Sequence, residues 1–429
     1  MKLADISCAL RRHDPWIVWT LRIVVGGVFI MSGLVKDIDL WGFVYKIEEY
    51  LTAWGIRQPR SMVVMAALGI SGAEFILGAM LATGSYKRTA VWGLLAMMAV
   101  MLPLTLYIYI FSPVSDCGCF GDFWKLSNGA TFLKNIIITA ALVWLAFRNK
   151  YVAGIYHAYS QWVEVTFCAI FILAVGLYGY NVQPLLDFRS FPVGERIVPS
   201  DDDDDSAASD VTFEFIYEKD GVTQSFMDYE LPDSTWTFVE RRLIDGDLTD
   251  HTELSVLDEF DDDVTLDVIS QEGEQLIVVL PQYDRADASF TYTVNELNRY
   301  ITSHGGSLME IGAIPKDCLD DWRDMSMAEY PIYRAESTVL KELSRGVMSA
   351  VYVVDGVIVW KRTLSSINID SLSPVTGDGD SSHGLMALSV DGGMLLLRWA
   401  MMLAFSLLLL FLVDKSGYMS KWIAKVRKS

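Results

Sequence analysis

The chain has 429 residues, 52% of them hydrophobic, a mean hydropathy of +0.31 and a formal net charge of −20 at pH 7. Several apolar stretches reach the ~20 residues a helix needs to cross a bilayer, so this is an integral membrane protein and the lipid bilayer is its first partner. The acidic balance argues against nucleic acid as a ligand, because like charges repel.

Six spans are expected, near Trp16–Leu34, Met62–Leu81, Ala90–Ile110, Phe132–Phe147, Val163–Tyr180 and Met394–Val413. The first is too long for a signal peptide and ends at Val35-Lys36-Asp37 rather than at small residues, so it is expected to be retained. Next, Asp37–Gly55 carries Leu40, Phe43, Val44, Ile47 and Leu51 at helical spacing among Lys46, Glu48 and Glu49. That suits a helix on the membrane surface or an extension of the first span, with Trp41, Tyr45, Tyr50 and Trp54 at the interface.

Two charges fall inside the spans, Arg22 in the first and Glu74 in the second. Counted at ~1.5 Å per residue they lie roughly 9 and 12 Å from the same membrane face. A lone charge at such depth is costly, so Arg22 and Glu74 are expected to form an intramembrane ion pair or relay, or to face a wet cavity. Lys36 and Arg398 sit near span ends and can snorkel. Pro103 should kink the third span, freeing a carbonyl.

Beyond the third span comes Asp116-Cys117-Gly118-Cys119-Phe120-Gly121-Asp122, which holds two of the five cysteines one glycine apart. A disulfide there would close a small, strained ring that does little for stability and is easily reduced, which favours a redox pair. A structural clip and two packed thiols remain as alternatives. No third or fourth Cys or His lies near enough for zinc, and no metal site is expected. Asp116 and Asp122 disfavour a thiolate, and Lys125 is the nearby cation.

Between the fifth and sixth spans, Val211–Tyr217, an Asp220-Gly221 turn and Val222–Phe226 read as a hairpin. An α/β alternation follows: strand Leu276–Leu280, helix Ser289–Ser303, strand Ser307–Ile311, helix Ser337–Arg345, then a hairpin of Ala350–Val354 and Val357–Lys361 across Asp355-Gly356. This order resembles the thioredoxin-like fold. The cysteine pair that the resemblance would place after the first strand is absent, since Pro281-Gln282-Tyr283-Asp284-Arg285-Ala286-Asp287 stands there, and no proline precedes the closing hairpin at Gly346-Val347-Met348-Ser349. A docking module is therefore expected, with Cys318 as its single thiol and a candidate exchange partner for Cys117 or Cys119.

Lys and Arg set the orientation. Arg11 and Arg12, Lys87 and Arg88, Arg148 and Lys150, and Lys415, Lys421, Lys425, Arg427 and Lys428 all fall on one side of a six-span chain. Both termini are thus expected in the cytoplasm of a bacterial inner membrane, with the cysteine loop and residues of about 185–393, including the run Asp201–Asp205, in the periplasm, where disulfides are permitted.

The run Arg22-Ile23-Val24-Val25-Gly26-Gly27-Val28-Phe29-Ile30-Met31-Ser32-Gly33, with Lys36, Gly72-Ala73-Glu74, Gly78 and Cys117-Gly118-Cys119-Phe120-Gly121, resembles the DoxX/MauE group of four-helix membrane proteins. Gly42–Leu51 and Asp187-Phe188-Arg189 are similar to a Bacteroidetes-type branch with an extracytoplasmic extension, although Leu40 stands where a proline would follow the acidic residue. The resemblance implies envelope redox chemistry, DoxX being linked to quinone and MauE to methylamine dehydrogenase assembly. The fold expected is an α-helical membrane bundle, a four-helix core plus two further transmembrane helices, with an α/β thioredoxin-like extracytoplasmic domain. Its parts are 1–150 (four-helix domain), 151–184 (fifth helix), 185–210 (acidic linker), 211–265 (β-rich extension), 266–365 (thioredoxin-like domain), 366–393 (linker) and 394–429 (sixth helix and basic tail).

Two functions fit. In one, Cys117 and Cys119 exchange with an extracytoplasmic redox partner, with quinone as a candidate cofactor although no residues mark a pocket for it. In the other, the chain is a non-enzymatic assembly or maturation factor whose thioredoxin-like domain binds a protein client.

Overall fold

The computed structural model describes residues 3–56, 58–111, 123, 127–149, 152–198, 212–219, 222–227, 237–245, 253–372 and 383–417; of 3–14, of those in 212–245, and of 370, 371 and 383 it describes the backbone alone. The chain divides into two compact units, one of Met1–Arg189, Ser344–Ser349 and Trp360–Ser429, the other of Ser190–Leu343 and Ala350–Val359.

The first unit is helical. Its helices are α1 (Leu3–Ile38), α2 (Leu40–Ala53), α3 (Arg60–Thr83), α4 (Lys87–Phe111), α5 (Asn128–Arg148) and α6 (Gln161–Asn181), with α12 (Gly392–Lys415) closing the chain. Six of them are long and apolar enough to cross a membrane: Pro15–Ile38 of α1, and α3, α4, α5, α6 and α12. This is a multi-pass membrane protein. Large apolar side chains such as Val100, Phe147, Ile170, Met402 and Phe405 face outward, as lipid requires.

Helix ends follow local chemistry. Gly84, in the left-handed region at φ 73°, ends α3 and lets its N–H bond back to Leu81 and Met80. Ser127 caps α5 by accepting from the Ala130 N–H, and Asp391 caps α12 by accepting from that of Met394. Pro103 lies inside α4, where the Thr105 hydroxyl donates to the Met101 carbonyl at 2.9 Å.

Backbone contact locks α1 against α3. A Cβ added at Gly26 would lie 2.7 Å from the Gly78 carbonyl oxygen, and one at Gly33 would lie 2.5 Å from that of Ser71. Small residues let membrane helices approach this closely, and the two contacts fix an antiparallel register. Val25, Phe29, Leu81, Leu94 and Leu142 fill the bundle beside that seam. α2 buries Leu40, Trp41 and Val44 on one face. Trp41 stacks on Tyr180 at 5.0 Å and donates to its carbonyl, which ties α2 to α6.

A mixed five-stranded sheet, most of it in the second unit, is built from β4 (Glu274–Leu280), β5 (Ser307–Gly312), β6 (Ile332–Arg334), β7 (Ser349–Val354) and β8 (Val357–Thr363), in the order β6-β5-β4-β7-β8. β4 pairs parallel with β5, and β5 with β6. Asp355 and Gly356 both take positive φ, 51° and 78°, the two-residue turn that closes β7 onto β8 as a hairpin. One-turn α7 (Thr265–Val268) precedes the sheet, α8 (Thr291–Ser303) joins β4 to β5, and α9 (Leu319–Ser326) and α10 (Ser337–Leu343) flank β6. The short β6 and α9 carry too little pattern to be read from sequence. Phe191, Ile197 and Val198 pack with Ile277, Ile311 and Val351, so residues 190–198 belong to this core rather than to a linker. A separate antiparallel sheet runs β2-β1-β3, from β1 (Thr212–Lys219), β2 (Val222–Met227) and β3 (Thr237–Asp245). α11 (His383–Met386) precedes α12.

Candidate functional site

A polar cluster of the bundle interior is built where α1 faces α3. Ser32 and Lys36 lie one turn apart on α1, and Ser71 and Glu74 nearly one turn apart on α3, so each helix presents a polar pair on one face. Lys36 Nζ lies 2.8 Å from both carboxylate oxygens of Glu74, and the Ser32 hydroxyl donates to Oε2 at 2.8 Å. Lys36 and Glu74 are 2% and 3% exposed, and the ammonium lies 5.0 Å from the Phe43 ring centre. A buried charge so held is fully answered, as membrane depth demands. Asp37, 1% exposed, lies beside the pair with its Oδ1 2.6 Å from the Ser71 hydroxyl.

A cavity of about 30 Å³ opens on this pair, lined by Ser32, Lys36 and Glu74 on one side and by Met101, Lys134 and Asn135 on the other. Asn135 Nδ2 donates to the Thr105 hydroxyl at 3.3 Å, tying α5 to α4. The volume suits a water molecule or so. A quinone head group does not fit it.

Arg22 is elsewhere, which corrects the expected Arg22–Glu74 pair. Its Nε donates to Asn149 Oδ1 at 2.5 Å, Nη1 to the Ala153 carbonyl at 2.9 Å, and Nη2 to those of Asn149 and Val152 at 3.0 and 2.9 Å. The Asn149 carbonyl, at the end of α5, carries the partial negative charge of a helix C-terminus, and with those of Val152 and Ala153 in the connection to α6 it takes the place of a carboxylate. The register explains the miss: Gly84 packs on Arg22, whereas Glu74 lies ten residues earlier on α3, about 15 Å along its axis. Lys36, expected to snorkel, is instead the partner of Glu74. The signal for it was present in the (i, i+4) spacing of Ser32 and Lys36.

Other buried charges anchor structure. Glu164, at the start of α6, accepts from the Thr83 hydroxyl at 2.6 Å and from Ser85. Asp414 accepts from Ser160 and meets His157 Nδ1 at 2.7 Å, holding α12 to the start of α6. Asp187 is bonded by Arg189 at 2.5 Å and Lys361 at 2.9 Å; burial alone would raise its carboxyl, but these cations hold it well below the ordinary range. In the second unit, Glu310 on β5 is fully buried and accepts from Trp322 Nε1 at 2.7 Å and the Tyr330 hydroxyl at 3.2 Å. Burial pushes its carboxyl up to about 7 against those two bonds.

Of the predicted thiols, Cys117 and Cys119 lie outside the described residues, between the end of α4 at Phe111 and the start of α5 at Asn128. Cys318 is a half-buried free thiol at the start of α9. Cys168 is buried in α6. Among the described residues no three His, Cys, Asp or Glu side chains gather as metal ligands would.

These features define a multi-pass helical membrane protein with a polar, charge-paired bundle interior and a separate α/β unit. Residues 14–148, which span α1 to α5, match the family model described as methylamine utilisation protein MauE, and this region belongs to the MauE-like membrane proteins. Residues 211–244, which contain β1, β2 and all of β3 but its last residue, match a domain of unknown function (DUF8463). No curated protein and no solved structure matches the chain.

Proposed function

We propose that this protein carries out thiol–disulfide exchange in the bacterial cell envelope, from the inner membrane, with Cys117 and Cys119 as the exchanging pair and both termini in the cytoplasm. One observation carries the reading. Along the chain Cys117-Gly118-Cys119 falls between α4 and α5, the helices that, with α1 and α3, wall the cavity holding Lys36 and Glu74. The MauE-like character of residues 14–148 supports a role in maturing other proteins.

In the exchange, the thiolate of one cysteine attacks a partner disulfide and releases a partner thiolate. The second cysteine then attacks the mixed disulfide, leaving Cys117–Cys119 oxidised and the partner a dithiol. Two electrons pass to the partner, and the protons lost by the two thiols are matched by those its two sulfurs take up. The reverse sequence oxidises the partner.

A specific observation favours a second reading, that of a non-enzymatic assembly factor. The segment after β4, Pro281–Asp287, bears no cysteine, and the sheet order with its closing hairpin supports a thioredoxin-like docking module for a client. One experiment separates the two. Cys119→Ser and, in parallel, Cys117→Ser are expressed in the full chain with Cys318 replaced, and mixed disulfides are sought by non-reducing electrophoresis. At least one variant should trap a partner that reductant releases. If neither does, and the double variant leaves envelope disulfides unchanged, the exchange reading fails and the assembly reading stands.

A further inference from the structure

Two carboxyls, Asp37 and Glu74, are buried together in the bundle, and Lys36 is bonded to Glu74 through both oxygens. Ser71 reveals the state of the other carboxyl. Its hydroxyl oxygen lies 2.6 Å from Asp37 Oδ1 and 2.7 Å from the carbonyl oxygen of Ala67. A serine hydroxyl owns one proton, so it can donate in only one of these directions. The carbonyl has none to give. Both contacts close when Asp37 supplies its own proton to Ser71 Oγ and Ser71 donates to Ala67, the back-bond a helical serine commonly makes.

The surroundings agree. The charged groups facing Asp37 are Lys36 beside it on α1 and Glu74 on α3. α6 presents Gly176 and Gly179, which do not titrate; a Cβ at Gly176 would lie 3.0 Å from Asp37 Oδ1. Among the described residues no cation bonds Asp37. Ionised, it would set a second anion beside Glu74 in a medium that solvates neither.

We propose that Asp37 is a proton-binding site of the membrane bundle. Its ligand is a proton, held at neutral pH on the carboxyl oxygen that faces Ser71. Glu74 and Lys36 then remain a neutral pair, and release of the proton would add a net negative charge beside the cavity. The assignment is independent of the cysteine chemistry.

Infrared difference spectroscopy on the full chain in lipid nanodiscs reads protonated carboxyls through their C=O stretch. Wild type minus Asp37→Asn at neutral pH should contain such a band, moving on transfer to heavy water. Contributions from Glu164 and Glu310 cancel in that difference. Asp37→Asn should also keep the folded yield, because one uncharged group replaces another, whereas Glu74→Gln should lower the yield and remove no protonated-carboxyl band. A wild-type minus Asp37→Asn spectrum with carboxylate bands alone would overturn the proposal. Should Asp37→Asn fail to fold, Ser71→Ala decides: it removes the oxygen that receives the proton, so the band should shift, and an unaltered carboxyl region would also overturn it.

Discussion

Glu74 in the first unit and Glu310 in the second are both buried, and their surroundings differ. Glu74 in the bundle is met by a cation, for Lys36 reaches both carboxylate oxygens at 2.8 Å and Ser32 adds a third bond. Glu310 in the α/β unit meets only neutral donors, Trp322 and Tyr330, and burial drives it towards the uncharged form. A charged pair beside a polar cavity can respond to a proton or a ligand. A neutral carboxyl wedged between two aromatic side chains mainly fixes the fold. The chemistry of the chain is therefore sought in the bundle.

The comparison can be broken at its strongest point by Glu74→Gln, which strands the Lys36 ammonium. A buried pair that loses one partner typically costs about 3–5 kcal/mol, so folded yield and thermal stability in detergent should fall steeply. Replacing both residues by apolar ones should restore much of the loss, and a double variant no better than Glu74→Gln would show that the two are not coupled.

Glu310 should give a smaller effect of distinct form. Its carboxyl is raised from 4.5 to about 7, so the folded state binds the proton more tightly than the unfolded chain does. The stabilisation that this brings is complete below pH 4.5 and is lost as pH rises through about 7, an effect of about 3 kcal/mol. Glu310→Gln should remove that decline. Hydrogen exchange of the β4 and β5 amides, compared with wild type at each pH, measures it, and an unchanged difference between pH 4.5 and 7 would contradict the neutral assignment.

The least costly test contrasts how the units pack. The α1–α3 seam rests on backbone contact, and Gly33→Ala should destabilise the bundle by about 1–3 kcal/mol because the new Cβ meets the Ser71 carbonyl. The sheet rests on side chains, and Ile277→Val on β4 should cost only about 0.5–1.5 kcal/mol, since one methylene leaves a small void. Equal losses, read by thermal unfolding for the first and hydrogen exchange for the second, would erase the distinction.

The sequence by itself determined the number and rough position of the membrane helices, because hydropathy accumulates locally along the chain and a span needs no knowledge of its neighbours. It also determined the α/β alternation around β4, β5, β7 and β8 and the Asp355-Gly356 turn, where strand pattern and turn chemistry coincide. Only the tertiary structure decided which buried charges meet. Arg22 and Glu74 look like partners when depth is counted from the span ends, but the close contacts at Gly26 and Gly33 set a register that brings Lys36 to Glu74 and leaves Arg22 to the carbonyls of Asn149, Val152 and Ala153. Asp37 likewise gave no sign of its role, because the hydroxyl that reports its proton lies on another helix, 34 residues away along the chain. Pairing in a bundle depends on the relative slide of two helices, and no local property of either one encodes that slide.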